Sequence, residues 1–431
     1  MASQRRASVL HIVDPTWPGG GPATLRLAAL VAERLVSFRH AVVVLGGRRE
    51  LELARRCGLA PVGAVALPAG IAALGFGPLR RAARAIGIDG TSPSLLHAWS
   101  GRAAIAGAAV AAERRLVTLD RGPADGLQHE MLGALLAAED HLVLAIGNAA
   151  ASELEAAGIL RSGVRTLPPG IGGSDDPPAR AALRKRWGVG ESRFVLGLLG
   201  GPPDASDVRD AFFVTALAAV AGRDVHLVVH PAAPGLDRML DWAGAPGLRR
   251  ALAGRISLDA RIAEPWAVAY GLDAGLALGE PSLLVDAPPL GTAMAPWLGS
   301  GRPVRRPPAA WGALWFAAAG RPTIADATAQ AAEFVVEGVT GLLVGPGDYP
   351  AAAHRVLRLC DDRTRAARLG AAAREAVRER FDAAAFTVRM RAVYEAVLRG
   401  RRVPDPLPGL ERSGLASLDP TAIALAERDA S

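Results

Sequence analysis

Short segments of β-strand character alternate with longer segments of helical period along most of this chain. In the first half the strand-like segments are SVLHIV, HAVVVLGG, SLLHAWS, RRLVTLD, DHLVLAIGN and VRTLPPG. Helix-like segments such as ATLRLAALVAERLV and RAAIAGAAVAAE lie between them. A regular succession of strand, helix and strand is typical of a parallel sheet with helices on both faces. The sequence therefore predicts the α/β class.

The alternation is interrupted at residues 172–183, GGSDDPPARAAL, where Gly, Asp and Pro indicate a linker. It then starts again with RFVLGLLGG, DVHLVVHP, GRISLD, GLDAGLALG, RPTIADA and TGLLVGP, followed by three helix-like segments. We therefore predict two doubly wound halves of similar size. Ligands of such folds lie outside the carboxyl ends of the strands, so the cleft between the halves is the predicted binding place.

The chain is basic, but its charge is dispersed. Its 431 residues carry a formal net charge of +7, and Lys185 is the only lysine. The arginines stand alone or in twos and threes, without interleaved aromatic residues, which argues against nucleic-acid binding. A mild attraction to anionic substrates or lipid surfaces fits this charge, so peripheral membrane contact stays open.

No feature of the sequence indicates export or membrane insertion. The N-terminal apolar run is a few residues long, as in a first β-strand. No window reaches the ~20 continuous apolar residues of a membrane helix. Cys57 and Cys360 belong to no C-x-x-C pair, so we expect two buried small side chains rather than a zinc site. The predicted location is the cytoplasm.

A glycine-rich loop follows the first predicted strand. Gly19, Gly20 and Gly21 allow a close approach of the backbone to a ligand, and the N–H groups of the next helix can bind an anion. A plain turn between strand and helix explains the same glycines equally well. We keep Gly20 and Gly21 as candidate substrate-binding residues.

The segment AAGRPTIADATAQAAEFVVEGVTGLLVGPGD resembles, without a gap, a characteristic run of glycosyltransferase family 4. In that family the run reads A-A-G-x-P-V-V-A, about eight residues, then P-E-x-V-x-x-G-x-x-G-L-L-V-x-P-G-D. WPGGGPATLRLAALVAERL, VRTLPPGI and DDRTRAARLGAAAREAVRERFDAAAF are similar to further segments of the family. The resemblance covers roughly residues 8–399.

This resemblance implies a GT-B fold, in which two Rossmann-like domains face a cleft. It implies retaining transfer of a sugar from a nucleotide-sugar donor to a glycan or lipid acceptor, with no metal and no other cofactor. The domains expected are an acceptor-side domain over residues 1–174, a nucleotide-sugar-side domain over 175–380, a helix returning to the first domain over 381–399, and a polar tail over 400–431.

The chain departs from the family at the basic residues of the donor site. A leaving diphosphate gains negative charge, so positive side chains should stabilise it. The family supplies an Arg and a Lys after the first strand of the second domain; here those places fall near Leu198 and Asp204. Gly200 and Gly201 remain as substrate-binding candidates there. Arg305, in RPVRRPP, could replace the lost cation if its loop folds toward the cleft, although such a run of charges is more often a solvated loop.

The acids of the family's E-x7-E pair are also missing. Carboxylates there would hold the hydroxyls of the sugar and ribose. The places of these two acids fall at Pro307 and Trp315. Glu280 could correspond to the first acid after an insertion, but the residue eight positions later, where the second acid should stand, is Pro288. Trp315 could stack on a base or sugar, or simply fill the core.

Three further residues are candidates at predicted strand ends. Asp120 stands where the family has a His in its first domain, and it is a weak candidate for catalysis as well as for substrate binding. An ion pair with Arg121 in a turn is the alternative. His97 and Trp99 could contact an acceptor, or could be satisfied core residues.

Three functions follow from this pattern. The first is sugar transfer as an active, diverged enzyme. The second is a catalytically inactive GT-B binding or scaffold protein in a cell-envelope or polysaccharide pathway. The third, sugar-nucleotide epimerisation, is disfavoured by the scarcity of acids and histidines in the second half. Whether the chain is an enzyme is left open, with transfer preferred.

Overall fold

The computed structural model of the protein describes residues 6–15, 21–65, 92–108, 110–119, 130, 132–136, 141–156, 158, 164–171, 179–198, 205–229, 240–241, 250–263, 265–278, 310–404 and 407. These residues form two parallel β-sheets flanked by helices. We call the first sheet with its helices the first lobe and the second sheet with its helices the second lobe. The predicted α/β class with two doubly wound halves is confirmed.

The first sheet has seven strands in the order β3-β2-β1-β4-β5-β6-β7. Val9 and Val13 of its central strand pack on one face, and Leu10 and Ile12 pack on the other. Both faces are therefore covered, as the continuous apolar runs predict. The strands are β1 (Ser8–Val13), β2 (Arg39–Leu45), β3 (Gly63–Val65), β4 (Leu95–Ala98), β5 (Arg114–Leu119), β6 (His141–Ala145) and β7 (Val164–Thr166).

The second sheet has six strands in the order β10-β9-β8-β11-β12-β13, and all its pairs are parallel. The order reverses beside β8, which is the topological switch point where such sheets bind ligands. The strands are β8 (Phe194–Leu198), β9 (Val225–Val229), β10 (Ile256–Leu258), β11 (Ala274–Ala277), β12 (Thr323–Asp326) and β13 (Gly341–Val344).

The α-helices used below are numbered in chain order. Several begin at a side chain that accepts a hydrogen bond from the first turn, such as Ser100, Thr328, Asp348 and Asp382. They are α1 (Gly21–Arg34), α2 (Arg48–Arg56), α3 (Gly101–Gly107), α4 (Asn148–Ala156), α5 (Arg180–Arg186), α6 (Ala205–Val220), α7 (Pro265–Val268), α8 (Ala310–Ala318), α9 (Ala329–Phe334), α10 (Tyr349–Asp361), α11 (Arg363–Arg380) and α12 (Ala383–Leu398).

The chain passes from the first lobe to the second after Ile171 and returns at Phe381. The two passes lie side by side, because the Ile171 amide donates to the Phe381 carbonyl oxygen at 2.7 Å. After the return, α12 covers the first sheet, and Phe386 and Tyr394 are fully buried there. A Cβ added at Gly170 would lie 2.5 Å from the Cβ of Phe386, so glycine is needed where α12 packs.

Two other predictions concern burial and membranes. Cys57 is buried in the first-lobe core, whereas Cys360 is half-buried at the edge of the second-lobe core. No helix within the described ranges is long and apolar enough to span a bilayer. The domain boundaries at residues 174, 380 and 399 stay predictions.

Candidate functional site at the facing sheet edges

The carboxyl edges of the two sheets meet in the described structure. The N-terminus of α4, which follows β6, lies against α9, which follows β12. The contact is made by the Glu333 carboxylate, which accepts hydrogen bonds from the backbone amides of Asn148 and Ala149. The space beside this contact, bounded by the carboxyl ends of both sheets, is the candidate site.

On the first-lobe edge, a buried acid follows the central strand. Asp14 comes directly after β1, its side chain is fully buried, and it pairs with Arg102 at 3.5 Å. Arg102 lies in the first turn of α3 and is about a quarter exposed. Ser100 caps this helix by accepting from the Ala103 amide at 3.0 Å. Sequence reasoning missed Asp14, although an acid placed directly after a strand is a usable signal.

On the second-lobe edge, Asp326 is the last residue of β12 and is 1 % exposed. Its carbonyl oxygen accepts a hydrogen bond from the Thr328 amide at 2.8 Å. The Thr328 hydroxyl in turn caps α9, at 3.2 Å from the Ala331 amide. A buried carboxylate at a strand end is a candidate for holding hydroxyl groups, and sequence reasoning did not select it.

Glu333 itself is a half-buried acid with a perturbed affinity for protons. Burial raises the pKa of its carboxyl group, and this outweighs the two amides of α4 and the nearby Arg380, which lower it. Arg380 also donates to the Glu333 carbonyl oxygen at 3.0 Å. The acid therefore carries an unfavourable desolvation free energy while it remains tied to the first lobe.

His97 and Trp99, the predicted acceptor contacts, lie in the first-lobe core. Trp99 is 2 % exposed and its indole N–H donates to His11 Nδ1 at 3.0 Å. His11 Nε2 lies 2.9 Å from His40 Nδ1, and His40 Nε2 lies 2.9 Å from the Leu35 carbonyl oxygen. Because that carbonyl can only accept, His40 carries its proton on Nε2, and His11 also donates through Nε2. Each ring nitrogen in this series of hydrogen bonds has a partner when both histidines are neutral.

His97 is held by two hydroxyl groups instead of a ligand. Its Nδ1 lies 2.7 Å from the hydroxyl of Tyr394 on α12, and its Nε2 lies 2.7 Å from the Thr118 hydroxyl. Burial lowers the pKa of His97 and of His11 well below the usual value, and neighbouring histidines add to the effect. These contacts correct the expectation that His97 faces the cleft, and they favour the alternative of a satisfied core residue.

Trp315 and Leu198 occupy the places of a family acid and the family arginine. Trp315 is 3 % exposed on α8, and its ring centre lies 5.1 Å from that of Trp266. Its indole nitrogen has no hydrogen-bond partner in the described structure. Leu198 is 3 % exposed in the second-lobe core. The burial of both side chains favours the interpretation that they fill the core over direct binding of a donor.

Several predicted site residues fall outside the part of the chain that the structure describes. Gly21 is the first residue of α1, so the glycine-rich loop is followed directly by a helix N-terminus, as the sequence predicted. The candidates outside the described residues are Gly20, Asp120, Gly200, Gly201 and Arg305, together with Asp204, Glu280 and Pro307. Their roles stay predictions. Among the described residues, no group of three or more His, Cys, Asp or Glu side chains is arranged to hold a metal ion.

Comparison with known proteins gives matches in structure alone. No family model matches the sequence, and no curated protein matches it significantly. The Anabaena protein HepE, solved with UDP-glucose, is 17 % identical with a TM-score of 0.66 over 90 % of this chain and 99 % of that one. Sucrose-phosphate synthase of Thermosynechococcus elongatus is 18 % identical with a TM-score of 0.64 over 92 % and 100 %.

A third similar structure is a Listeria monocytogenes protein provisionally assigned as a UDP-N-acetylglucosamine 2-epimerase. It is 13 % identical, with a TM-score of 0.56 over 93 % of this chain and 99 % of that chain. Likeness at such low identity concerns the fold and not the activity. The chain has a GT-B fold. The GT-B part of the sequence prediction is confirmed, and membership of family 4 stays a prediction.

Proposed function

We propose that this protein transfers a sugar from a nucleotide-sugar donor to a glycan or lipid acceptor in the space between its lobes. The observation that carries the proposal is the match of both sheets, over 90 % of the chain, to HepE solved with UDP-glucose. Sucrose-phosphate synthase, whose name describes sugar transfer, matches over a similar length. The sequence resemblance to glycosyltransferase family 4 points to the same activity.

The finer assignment is retaining transfer of the family 4 type without a metal, in the cytoplasm. The first lobe would hold the acceptor, with Gly20, Gly21 and Asp120 near it. The second lobe would hold the nucleotide, with Gly200 and Gly201 near the diphosphate. Peripheral contact with a membrane would bring the protein to a lipid acceptor.

The second lobe has groups that could replace only some of the charged side chains that the family places at the donor site. The N-terminus of α6 follows β8, and the backbone N–H groups of its first turn would suit a diphosphate oxygen. Asp326 is a buried acid at the carboxyl end of β12 and could take the place of a lost carboxylate toward sugar hydroxyls. Arg305 would supply positive charge to the leaving group.

A catalytically inactive binding protein is the second candidate, and one observation favours it. Trp315, at the place of the family's second acid, is buried against Trp266 and holds no charge. Leu198, at the place of the family's arginine, is likewise buried. A protein with these substitutions could keep a nucleotide-sugar site and lack turnover.

Titration calorimetry against a panel of nucleotide sugars, beginning with UDP-glucose, tests binding. We expect one member to bind with a Kd of about 1 μM to 1 mM, the usual range for such substrates. Release of free nucleotide in the presence of candidate acceptors then separates a transferase from an inactive protein. Recovery of an isomerised sugar without acceptor would indicate epimerisation. Absence of binding to every member of the panel would overturn the proposal.

The role of Arg305 has its own test. Replacing Arg305 and Arg306 together by Ala should weaken nucleotide affinity about tenfold or more, as expected for a lost charge-assisted contact to phosphate. Arg378→Ala is the control, because Arg378 is exposed and its ion pair among the described residues is with its helix neighbour Glu375 at 3.6 Å. Equal nucleotide affinity of the two variants would show that Arg305 is not part of the donor site.

A further inference from the structure

Among the described residues, Trp266 of α7 packs against the apolar cores of both lobes. Three further contact points between the lobes lie close together. Two are the passes of the chain at Ile171 and Phe381, which are hydrogen-bonded to each other at 2.7 Å. The third is the contact of Glu333 with the N-terminus of α4. Phe334, next to Glu333, packs edge-on against Phe381 with ring centres 5.5 Å apart, so the third point borders the chain passes.

The Glu333 contact differs from the other two in its chemistry. The chain passes are covalent and are surrounded by apolar side chains such as Phe334 and Phe381. The Glu333 carboxylate instead accepts from the Asn148 and Ala149 amides, at the positive end of the α4 dipole. A hydrogen-bonded ion can exchange its partners for water when the lobes separate, whereas the covalent passes cannot break.

Gly147 shows that the first lobe is shaped for this carboxylate. It precedes α4 with φ +88°, a left-handed conformation that favours glycine. A Cβ at this position would overlap Glu333 Oε2 and lie 3.3 Å from its Cδ. The space that a side chain would fill on one lobe is therefore occupied by a side chain from the other.

We propose that Glu333 is a positioning residue that fixes the angle between the lobes in their closed arrangement. The chain passes at Ile171 and Phe381 define the axis of rotation, and the bond between Glu333 and α4 holds one angle about that axis. Opening transfers the carboxylate and both amides to water. The inference concerns the lobes alone and does not depend on the proposed sugar transfer.

The partial burial of Glu333 opposes the closed contact. Removing an ionised carboxylate from water is unfavourable, and the two amides and Arg380 offset this only in part, because the pKa of Glu333 remains raised. A ligand that binds between the lobes would shift this equilibrium by the difference in its affinity for the closed and open arrangements.

The test measures the distance between spin labels on the two lobes. Glu52 on α2 is exposed, and Arg250 before β10 is exposed at the outer edge of the second sheet, so Glu52→Cys and Arg250→Cys report lobe separation. Native Cys57 and Cys360 are replaced by Ala and Ser to leave two labelled sites. Glu333→Gln, which keeps the shape and removes the charge, should raise the population of long distances roughly tenfold relative to the unchanged protein.

Two matched controls separate lobe positioning from loss of stability. Asp348→Asn removes the charge of a carboxylate that caps α10 within one lobe, at 2.9 Å from the Ala351 amide. Gly158→Ala creates the same left-handed strain as Gly147→Ala, but an added Cβ there meets no atom within 4 Å. Gly147→Ala should therefore lengthen the label distance as Glu333→Gln does, and both controls should leave it unchanged.

Hydrogen exchange adds a local measurement. The amides of Asn148 and Ala149 should exchange faster in Glu333→Gln, while amides inside β6 keep their protection. If Glu333→Gln does not fold, the pair Gly147→Ala and Gly158→Ala decides the question. An unchanged distance distribution in both Glu333→Gln and Gly147→Ala, or an equal change in the controls, would overturn the proposal.

Discussion

The two lobes each contain a large buried polar network, and the two networks differ in chemistry. Beneath the first sheet, His11, His40 and Trp99 form a hydrogen-bonded chain in which the histidines are neutral. At the amino edge of the second sheet, Arg184 is 1 % exposed and pairs with Asp273 at 3.2 Å. Arg184 also donates to the carbonyl oxygens of Gly190 and of neighbouring residues that lead into β8.

The difference sets how each lobe responds to its surroundings. A neutral histidine network is stable only while its members stay unprotonated. The second-lobe network is instead centred on an ion pair between Arg184 and Asp273 and contains no histidine among its described residues. The first lobe is therefore sensitive to acid, and the second is sensitive to the loss of one charged partner.

The largest expected effect is acid destabilisation of the first lobe. Burial lowers the pKa of His11, His40 and His97, so stability is complete above pH 6.5 and falls as the pH drops below it, when the unfolded chain binds protons that the folded lobe does not. The loss is about 1.4 kcal/mol per pH unit for each histidine. Peptide-resolved hydrogen exchange at pH 7.5 and 5.0, corrected for the intrinsic rate, measures it.

The second lobe provides the internal control for this measurement. Its described residues include His226, whose pKa burial lowers to about 4. A single histidine should produce a smaller loss in β8 and β9 than three produce in β1 and β4. Equal losses in the two sheets would contradict the contrast.

Loss of the buried arginine should give the next largest effect, confined to the second lobe. Arg184→Met leaves Asp273 and several carbonyl groups without this partner, which should cost about 3–5 kcal/mol of unfolding free energy. Chemical denaturation followed by tryptophan fluorescence measures it. Lys185→Met, at the exposed neighbouring position of α5, should change stability little. A comparable loss in both variants would show that helix α5, and not the buried charge, is responsible.

Tyr394→Phe tests the neutral network at its contact with α12. The change removes the hydroxyl that lies 2.7 Å from His97 Nδ1 and leaves a buried ring nitrogen without a partner. We expect a loss of about 1–3 kcal/mol in thermal or chemical unfolding. Tyr349→Phe is the control, since that half-buried ring stacks on Phe213 with centres 5.0 Å apart. A Tyr394→Phe protein as stable as this control would argue against the network.

The smallest effect should come from an exposed ion pair of the second lobe. Asp224 is 53 % exposed and contacts Arg193 at 3.0 Å and Arg255 at 2.8 Å. Asp224→Asn should cost less than about 1 kcal/mol, because water screens such pairs. Chemical denaturation beside Asp273→Asn compares the exposed acid with the buried one, and similar losses would show that burial is not the deciding factor.

The fold could be predicted because its signal is local. Alternating strand-like and helix-like segments determine the class, and their restart after residue 183 determines the number of sheets. The orientation of His97 could not be predicted in this way. The face of the first sheet that carries it is covered by α12, which begins nearly 300 residues later, so its burial depends on tertiary packing.

The site was predicted only in outline for a similar reason. The carboxyl edges of the strands were the expected place, and Asp14 and Asp326 are recognisable afterwards as acids at strand ends. Glu333 lay inside the segment that resembles a known family, but its partner Ala149 is 184 residues away in sequence. No pattern of spacing or composition indicates that pairing.

The adjacent passes of the chain limit how the lobes can move. Because Ile171 and Phe381 are hydrogen-bonded to each other, the hinge proposed above lies where the two passes meet, and rotation there can leave that bond intact. In the proposed hinge, one angle between the lobes would describe most of the opening. A distance between two labels far from the passes would then follow that angle.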